Sequence, residues 1–109
     1  MHRTEALLRH GVSRLLSDMG YGTLSEFKLT TGRRVDVIGL NDRSEFVIAE
    51  IKSSIADFRS DRKWSEYLPF CDQFYFAVPE GFPQSILPGE CGVIVADGYG
   101  AAIRRPATE

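Results

Sequence analysis

The sequence predicts an α/β domain: a central mixed sheet, built from an antiparallel meander plus a strand added in parallel through a crossover, with helices flanking it. Three observations carry this. An amphipathic repeat opens the chain, three strand-like segments separated by short turns follow, and an apolar strand returns after a second helical stretch. At 109 residues the chain is long enough for one core and too short for two. We therefore expect one domain over residues 1–105 and a frayed tail over 106–109.

From Thr4 to Met19, Leu8, Val12, Leu15, Leu16 and Met19 recur at helical spacing, with Thr4 as N-cap and Gly20 as stop. At about 100° per residue, Glu5 leans within roughly 50° of the centre of that apolar stripe, toward whatever the helix packs on. Its alternative role is to favour the helix N-terminus and pair with Arg9. Thr23 to Thr30 alternates as a first strand, with Phe27 and Leu29 on one face and Glu26 and Lys28 on the other. Thr31, Gly32 and Arg33 turn the chain; a tight turn centred on Thr31 puts Glu26 beside a residue of the next strand, Asp36. The blander reading of Glu26 is an exposed charge on an edge strand.

Val35 to Leu40 and Phe46 to Ile51 are two β-branched, apolar runs split by Asn41, Asp42, Arg43 and Ser44, a hairpin signature. Charge sits on these strands where core residues belong. If the turn pairs Leu40 with Phe46, Asp36 falls opposite Glu50, and Lys52, two residues on, points the same way as Glu50. Two neighbouring carboxylates in a poorly solvated place need a shared proton, a cationic neighbour or a metal ion. Mg2+, or Mn2+, suits them, because such an ion is commonly held by one or two carboxylates together with water and substrate phosphate. Lys52 could then serve the attacking water or the charge growing on a phosphate. The competing reading is a solvated cross-strand ion pair worth well under about 1 kcal/mol.

After Lys52 the pattern turns helical. Ser54 and Asp57 suit a cap and first-turn acid, and Ser60 caps a further turn through Trp64 to Leu68, which Pro69 ends. Trp64 and Leu68 form its expected packing edge. Gln73 to Val78 is apolar on both faces, a buried strand parallel to the third one. Pro79 to Gly92 is a proline-rich connection with one helical turn near Gln84 to Leu87. Val93 to Ala96 is a short buried strand, and Ala101 to Arg105 closes a last hairpin across Asp97 and Gly98.

Composition narrows the function. No stretch approaches the roughly 20 apolar residues of a membrane span, and no secretion signal is visible, so the expected address is cytoplasmic, away from membranes. Cys71 and Cys91 are too few and too isolated for a disulfide framework or zinc site and read as small core residues. His2 and His10 have no partner at ligand spacing and read as solvent-facing. Phosphate-loop (GxxxxGK(S/T)) and nucleophile-elbow (GxSxG) motifs do not occur. A net charge of −2 argues mildly against binding nucleic acid. Yet Arg33, Arg34, Lys52, Arg59, Arg62 and Lys63 gather near the acids in sequence, where they could grip phosphates without reading bases. A solvated charged face is the competing reading of these residues.

The strand acid, the hairpin and then Glu50-Ile51-Lys52 at the end of an apolar strand resemble the PD-(D/E)XK nuclease superfamily. Val35 stands where the superfamily's name has Pro. More narrowly, GRRVDVIGL, EIKSSIADFRSDRKWSEY, CDQFYFAVP and the glycine-rich end resemble the MmcB family of DNA-repair endonucleases over nearly the whole chain. The resemblance implies a restriction-endonuclease-like core and a Mg2+- or Mn2+-dependent nuclease acting on DNA in repair, with other repair proteins as further partners. It implies catalytic roles for Asp36, Glu50 and Lys52, metal binding by Asp36, Glu50 and the Ile51 carbonyl, and a further acid from Glu5 or Glu26. It also implies a helper tyrosine: in a Gln-x-x-x-Tyr pattern, Tyr67 matches and Lys63 departs. The alternative is a module of the same fold that binds nucleic acid or a repair partner without cutting. Cleavage of both strands would need two subunits, and a homodimer is open, though the sequence carries no strong dimer signature.

Overall fold

The computed structural model describes residues 2–108, with side chains from Thr4 onward. Its spine is one sheet of six strands in sequential order, β1 (Gly22–Lys28), β2 (Arg34–Leu40), β3 (Phe46–Ile51), β4 (Gln73–Val78), β5 (Gly92–Ala96) and β6 (Ala101–Arg105). β1, β2 and β3 are the antiparallel meander, β3 and β4 and then β4 and β5 run parallel, and β6 returns antiparallel to β5. The mixed sheet expected from the sequence is therefore present.

α1 (His2–Asp18) covers one face. Leu8, Val12 and Leu16, four residues apart, are buried there against Val37, Val47, Ala49, Ile51, Ala77 and Ile94. Thr4 lies inside the helix and is not its N-cap. His10 is exposed; the side chain of His2 lies outside the described residues. Gly20, at φ 98°, takes the left-handed conformation that stops the helix. Gly11 lies so close to the β5–β6 turn that an added Cβ would run into the carbonyls of Asp97 and Gly100. Among the described residues no helix is long and apolar enough to cross a membrane.

The other face is covered by α2 (Ile55–Ser60), a 3-10 helix (Trp64–Phe70) and the connection after β4. Ser54 caps α2 as expected, its hydroxyl accepting from the Asp57 amide while Asp57 accepts from the Ser53 amide. Ser60 caps nothing: its hydroxyl donates back to the Asp57 carbonyl, and the chain leaves the helix at Asp61. The next turn is wound as a 3-10 helix that contains Pro69 instead of ending before it. With three residues per turn, Trp64, Tyr67 and Phe70 share the inward side. Tyr67 is accordingly buried and Leu68 is 37% exposed, the reverse of what an α-helical period predicts. Trp64, Phe58 and Phe74 surround Phe76 with ring centroids 5.1 to 5.4 Å away.

Cys91 is buried and Cys71 is packed at the edge of the same core, both as free thiols that burial pushes up to about 11. Beyond β6, Ala107 packs on the α1-side core and the Thr108 hydroxyl donates to the Glu90 carbonyl at 2.9 Å. Glu109 lies outside the described residues.

Candidate functional site

The hairpin that carries the acids has the expected register. Leu40 pairs with Phe46, Gly39 with Val47, Ile38 with Ile48 and Val37 with Ala49. The loop is fixed by Asn41, whose side-chain oxygen accepts from the amides of Arg43 and Glu45, with Ser44 at φ 63°. One residue further along, at Asp36 and Glu50, regular pairing stops.

The cause lies on the neighbouring strand. Ser25 pairs with Val37 and Phe27 with Val35, but between them Glu26 adopts φ 53°, uncommon for a residue other than glycine. β2 turns over at this point: Val37 joins the core under α1, whereas Val35 joins the core on the opposite face. Strict alternation would keep these valines together. Asp36, set between them, turns its carboxylate toward β3. Its Oδ2 accepts from the Ile51 amide at 2.8 Å, and its own amide donates to Glu50 Oε1 at 2.8 Å. Side chains thus replace ladder bonds where the strands part. In an extended residue the amide and carbonyl point to the same neighbouring strand, so the Ile51 carbonyl faces β2 as well.

Burial decides the electrostatics. Glu50 is 5% exposed, and burial, followed by the adjacent Asp36 charge, pushes its carboxyl up to about 8 against the opposing Asp36 amide and Lys52 ammonium. Asp36 is raised too, by burial first, with Glu5 adding to the rise and the Ile51 amide, Lys52 and Arg9 opposing it. Lys52 is buried, yet its ion-pair partner among the described residues is Asp61, not either strand acid. The Nζ–Oδ2 distance is 2.7 Å, and the two side chains are 8% and 6% exposed. Burial would raise the Asp61 carboxyl, but the Lys52 ammonium and the Lys63 amide outweigh it and hold it below the ordinary value. The pair formed by half-buried Asp36 and buried Glu50 therefore lacks a full counter-charge. A hard divalent cation fits that donor set of two carboxylates and a neighbouring backbone carbonyl.

Glu5 and Glu26 are placed differently. Glu5 is half-buried on α1 and its charge reaches Asp36. Glu26 is exposed and pairs with Arg9 at 3.6 Å, so Arg9 serves Glu26 and not Glu5. Among the described residues no group of three or more His, Cys, Asp or Glu side chains could hold a metal ion, so neither residue completes a third carboxylate position here. Tyr67 donates its hydroxyl to the Arg34 carbonyl at 3.4 Å. Burial and then the charges of Glu50, Asp61 and Asp36 push it up to about 12, which keeps it a neutral phenol. Arg33 pairs with Glu66 at 3.1 Å, and Arg34, Arg59, Arg62 and Lys63 are all exposed. They flank the acids at the start of β2 and on the α2 end and linker that carry Asp61. Asp61 is the residue that sequence reasoning missed. Its only signal was a lone acid inside the basic run Arg59-Ser60-Asp61-Arg62-Lys63.

Fold and site define a mixed α/β domain with a buried glutamate, a half-buried aspartate and a buried lysine at one end of its sheet. The chain belongs to the MmcB-like family of DNA repair proteins, whose model matches residues 1–109. It is similar in structure to the SPO1766 protein of unknown function from Silicibacter pomeroyi, with 43% sequence identity and a TM-score of 0.87 over 96% of this chain and 70% of that one. No curated protein matches the sequence.

Proposed function

We propose that this chain is a Mg2+- or Mn2+-dependent endodeoxyribonuclease of the PD-(D/E)XK type, with a restriction-endonuclease-like core, that hydrolyses phosphodiester bonds during DNA repair. One observation carries the reading: the buried Glu50 and half-buried Asp36 carboxylates each bond to the other's strand while the lysine beside them is neutralised by a different acid. Asp36, Glu50 and the Ile51 carbonyl would hold the cation, which would supply Lewis-acid polarisation of the phosphate and a lowered pKa for water. Lys52 orients that water or stabilises charge on the phosphate in the transition state. Tyr67 braces the start of β2 from below, and Arg33, Arg34, Arg59, Arg62 and Lys63 grip backbone phosphates.

The test is plasmid nicking in Mn2+ and Mg2+. Asp36→Asn and Glu50→Gln should remove cleavage while circular dichroism shows an unchanged fold, and nicking by either at the wild-type rate would refute the assignment.

A second reading, a module that binds DNA or a repair partner without cutting, is favoured by the short Lys52–Asp61 contact, which occupies the ammonium. Calorimetric titration with Mn2+ separates the two. A non-cleaving binder takes up no metal through Asp36 and Glu50 and nicks nothing.

A further inference from the structure

We propose that Asp61 is a positioning residue: it keeps the Lys52 ammonium off the Asp36–Glu50 pair and so leaves that pair open to a divalent cation, an inference that rests on the metal-site reading above. Lysine carries its charge on a flexible four-carbon stem. An ammonium within electrostatic reach of a buried and a half-buried carboxylate is itself a candidate counter-ion for them, and one that competes with any metal. Lys52 is within that reach, since its charge acts on both Asp36 and Glu50. What holds it elsewhere is geometric. Its backbone is pinned to β4 by its amide, which donates to the Ala77 carbonyl at 2.9 Å, and its Nζ lies 2.7 Å from Asp61 Oδ2.

Asp61 is well built for holding a charge in place. It sits where α2 ends, its amide donating to the Phe58 carbonyl at 3.1 Å, and its Oδ1 accepts from the Lys63 amide at 2.7 Å. One carboxylate oxygen is thus tied to the backbone, and the other is aimed at Lys52. With both side chains less than a tenth exposed, water cannot replace either partner cheaply. If the Asp61 charge is removed, the buried ammonium's next available partners are Asp36 and Glu50, and the cation site fills from within.

The decisive measurement is calorimetric titration of Mn2+ into the metal-free full chain. Four proteins are compared: wild type, Asp61→Asn, the double variant Lys52→Met/Asp61→Asn, and Glu50→Gln as the blank. We expect Asp61→Asn to weaken Mn2+ binding by about ten- to a hundredfold, the range seen when a residue behind a ligand shell is removed. We expect the double variant to recover wild-type affinity or better, because the competing ammonium has gone. A simple structural role for Asp61 would not be rescued by deleting Lys52, so weak binding in both variants overturns the proposal. Equal affinity in wild type and Asp61→Asn overturns it while leaving the metal site standing. Failure of wild type to take up Mn2+ through Glu50 removes both. Should Asp61→Asn not fold, the double variant decides alone, and binding weaker than wild type refutes the inference.

Discussion

Asp36 is bonded to Glu50 at the point where their strands part: the Asp36 amide donates to Glu50 Oε1, and Asp36 Oδ2 accepts from the amide of Ile51, the residue after Glu50. Each carboxylate is thus both a structural acceptor and a buried charge. Those two roles can be separated chemically. Glutamine at position 50 keeps an oxygen for the Asp36 amide and removes the charge whose burial is costly. Glu50→Gln should therefore be as stable as wild type at pH 8, or more stable by about 1 kcal/mol, while losing metal uptake. Urea unfolding monitored by circular dichroism checks the first half and Mn2+ calorimetry the second. A marked loss of stability would mean that the charge itself holds the strands.

The same burial sets a pH dependence. A carboxyl raised on folding binds its proton more tightly in the native state, so its contribution to stability is complete below the ordinary value of 4.5 and is lost as pH climbs through about 8. Metal-free wild type should therefore lose stability, relative to Glu50→Gln, as pH rises across that window. Saturating Mg2+ should offset the loss, because a ligand bound only to the folded state stabilises it. Urea titrations of both proteins at pH 5, 6.5 and 8.5, with and without Mg2+, measure the difference. A gap that stays constant with pH contradicts the assigned burial.

How the sequence disclosed this site, and where it did not, follows from the residues themselves. The register of β2 on β3 was readable because Asn41 to Ser44 carry the chemistry of a hairpin loop and the apolar runs on either side match in length. Strand periodicity then put Asp36 opposite Glu50; the ladder stops one pair short of them, at Val37 and Ala49, and the Asp36 amide bonds the Glu50 side chain there instead. Periodicity could not show that Glu26 takes a left-handed conformation and that Val35 and Val37 part to opposite faces, because a single left-handed residue in an unshifted register leaves no mark on the apolar pattern. Asp61 stayed hidden for a related reason: in a basic run an acid reads as solvated, and only the end of α2 after Ser60 turns it inward to Lys52. The 3-10 winding after Lys63 was equally invisible, since a period of three or of four places Trp64 inward alike.

That winding makes a prediction of its own. Under a three-residue period Tyr67 faces the sheet and Leu68 does not, and the exposures agree. Tyr67→Ala should then cost about 3 kcal/mol, as for other large buried side chains. Leu68→Ala should cost under about 1 kcal/mol. Chemical denaturation of the two variants ranks them, and a larger loss for Leu68 would indicate an α-helical turn in solution. Tyr67→Phe isolates the hydroxyl; its 3.4 Å contact to the Arg34 carbonyl is long, so about 0.5 kcal/mol is the expected loss.

The Lys52–Asp61 pair should behave in stability as a buried ion pair does. Deleting one partner leaves the other charged, out of water and unmatched, at a cost of about 3–5 kcal/mol, whereas replacing both with neutral groups of similar shape is often close to neutral. Lys52→Met alone should fall at the low end of that range, because Asp61 keeps its bond from the Lys63 amide. Asp61→Asn alone should fall lower still, since Asp36 and Glu50 lie within reach of the stranded ammonium and can take it up. The double variant should recover most of either loss, giving a coupling energy of about 3 kcal/mol in a double-mutant cycle read by urea unfolding. The asymmetry between the single variants is the informative part. If Asp61→Asn costs more than Lys52→Met, the strand acids are not accepting the ammonium, and they are then too far from Lys52, or too firmly protonated, for it to act beside them.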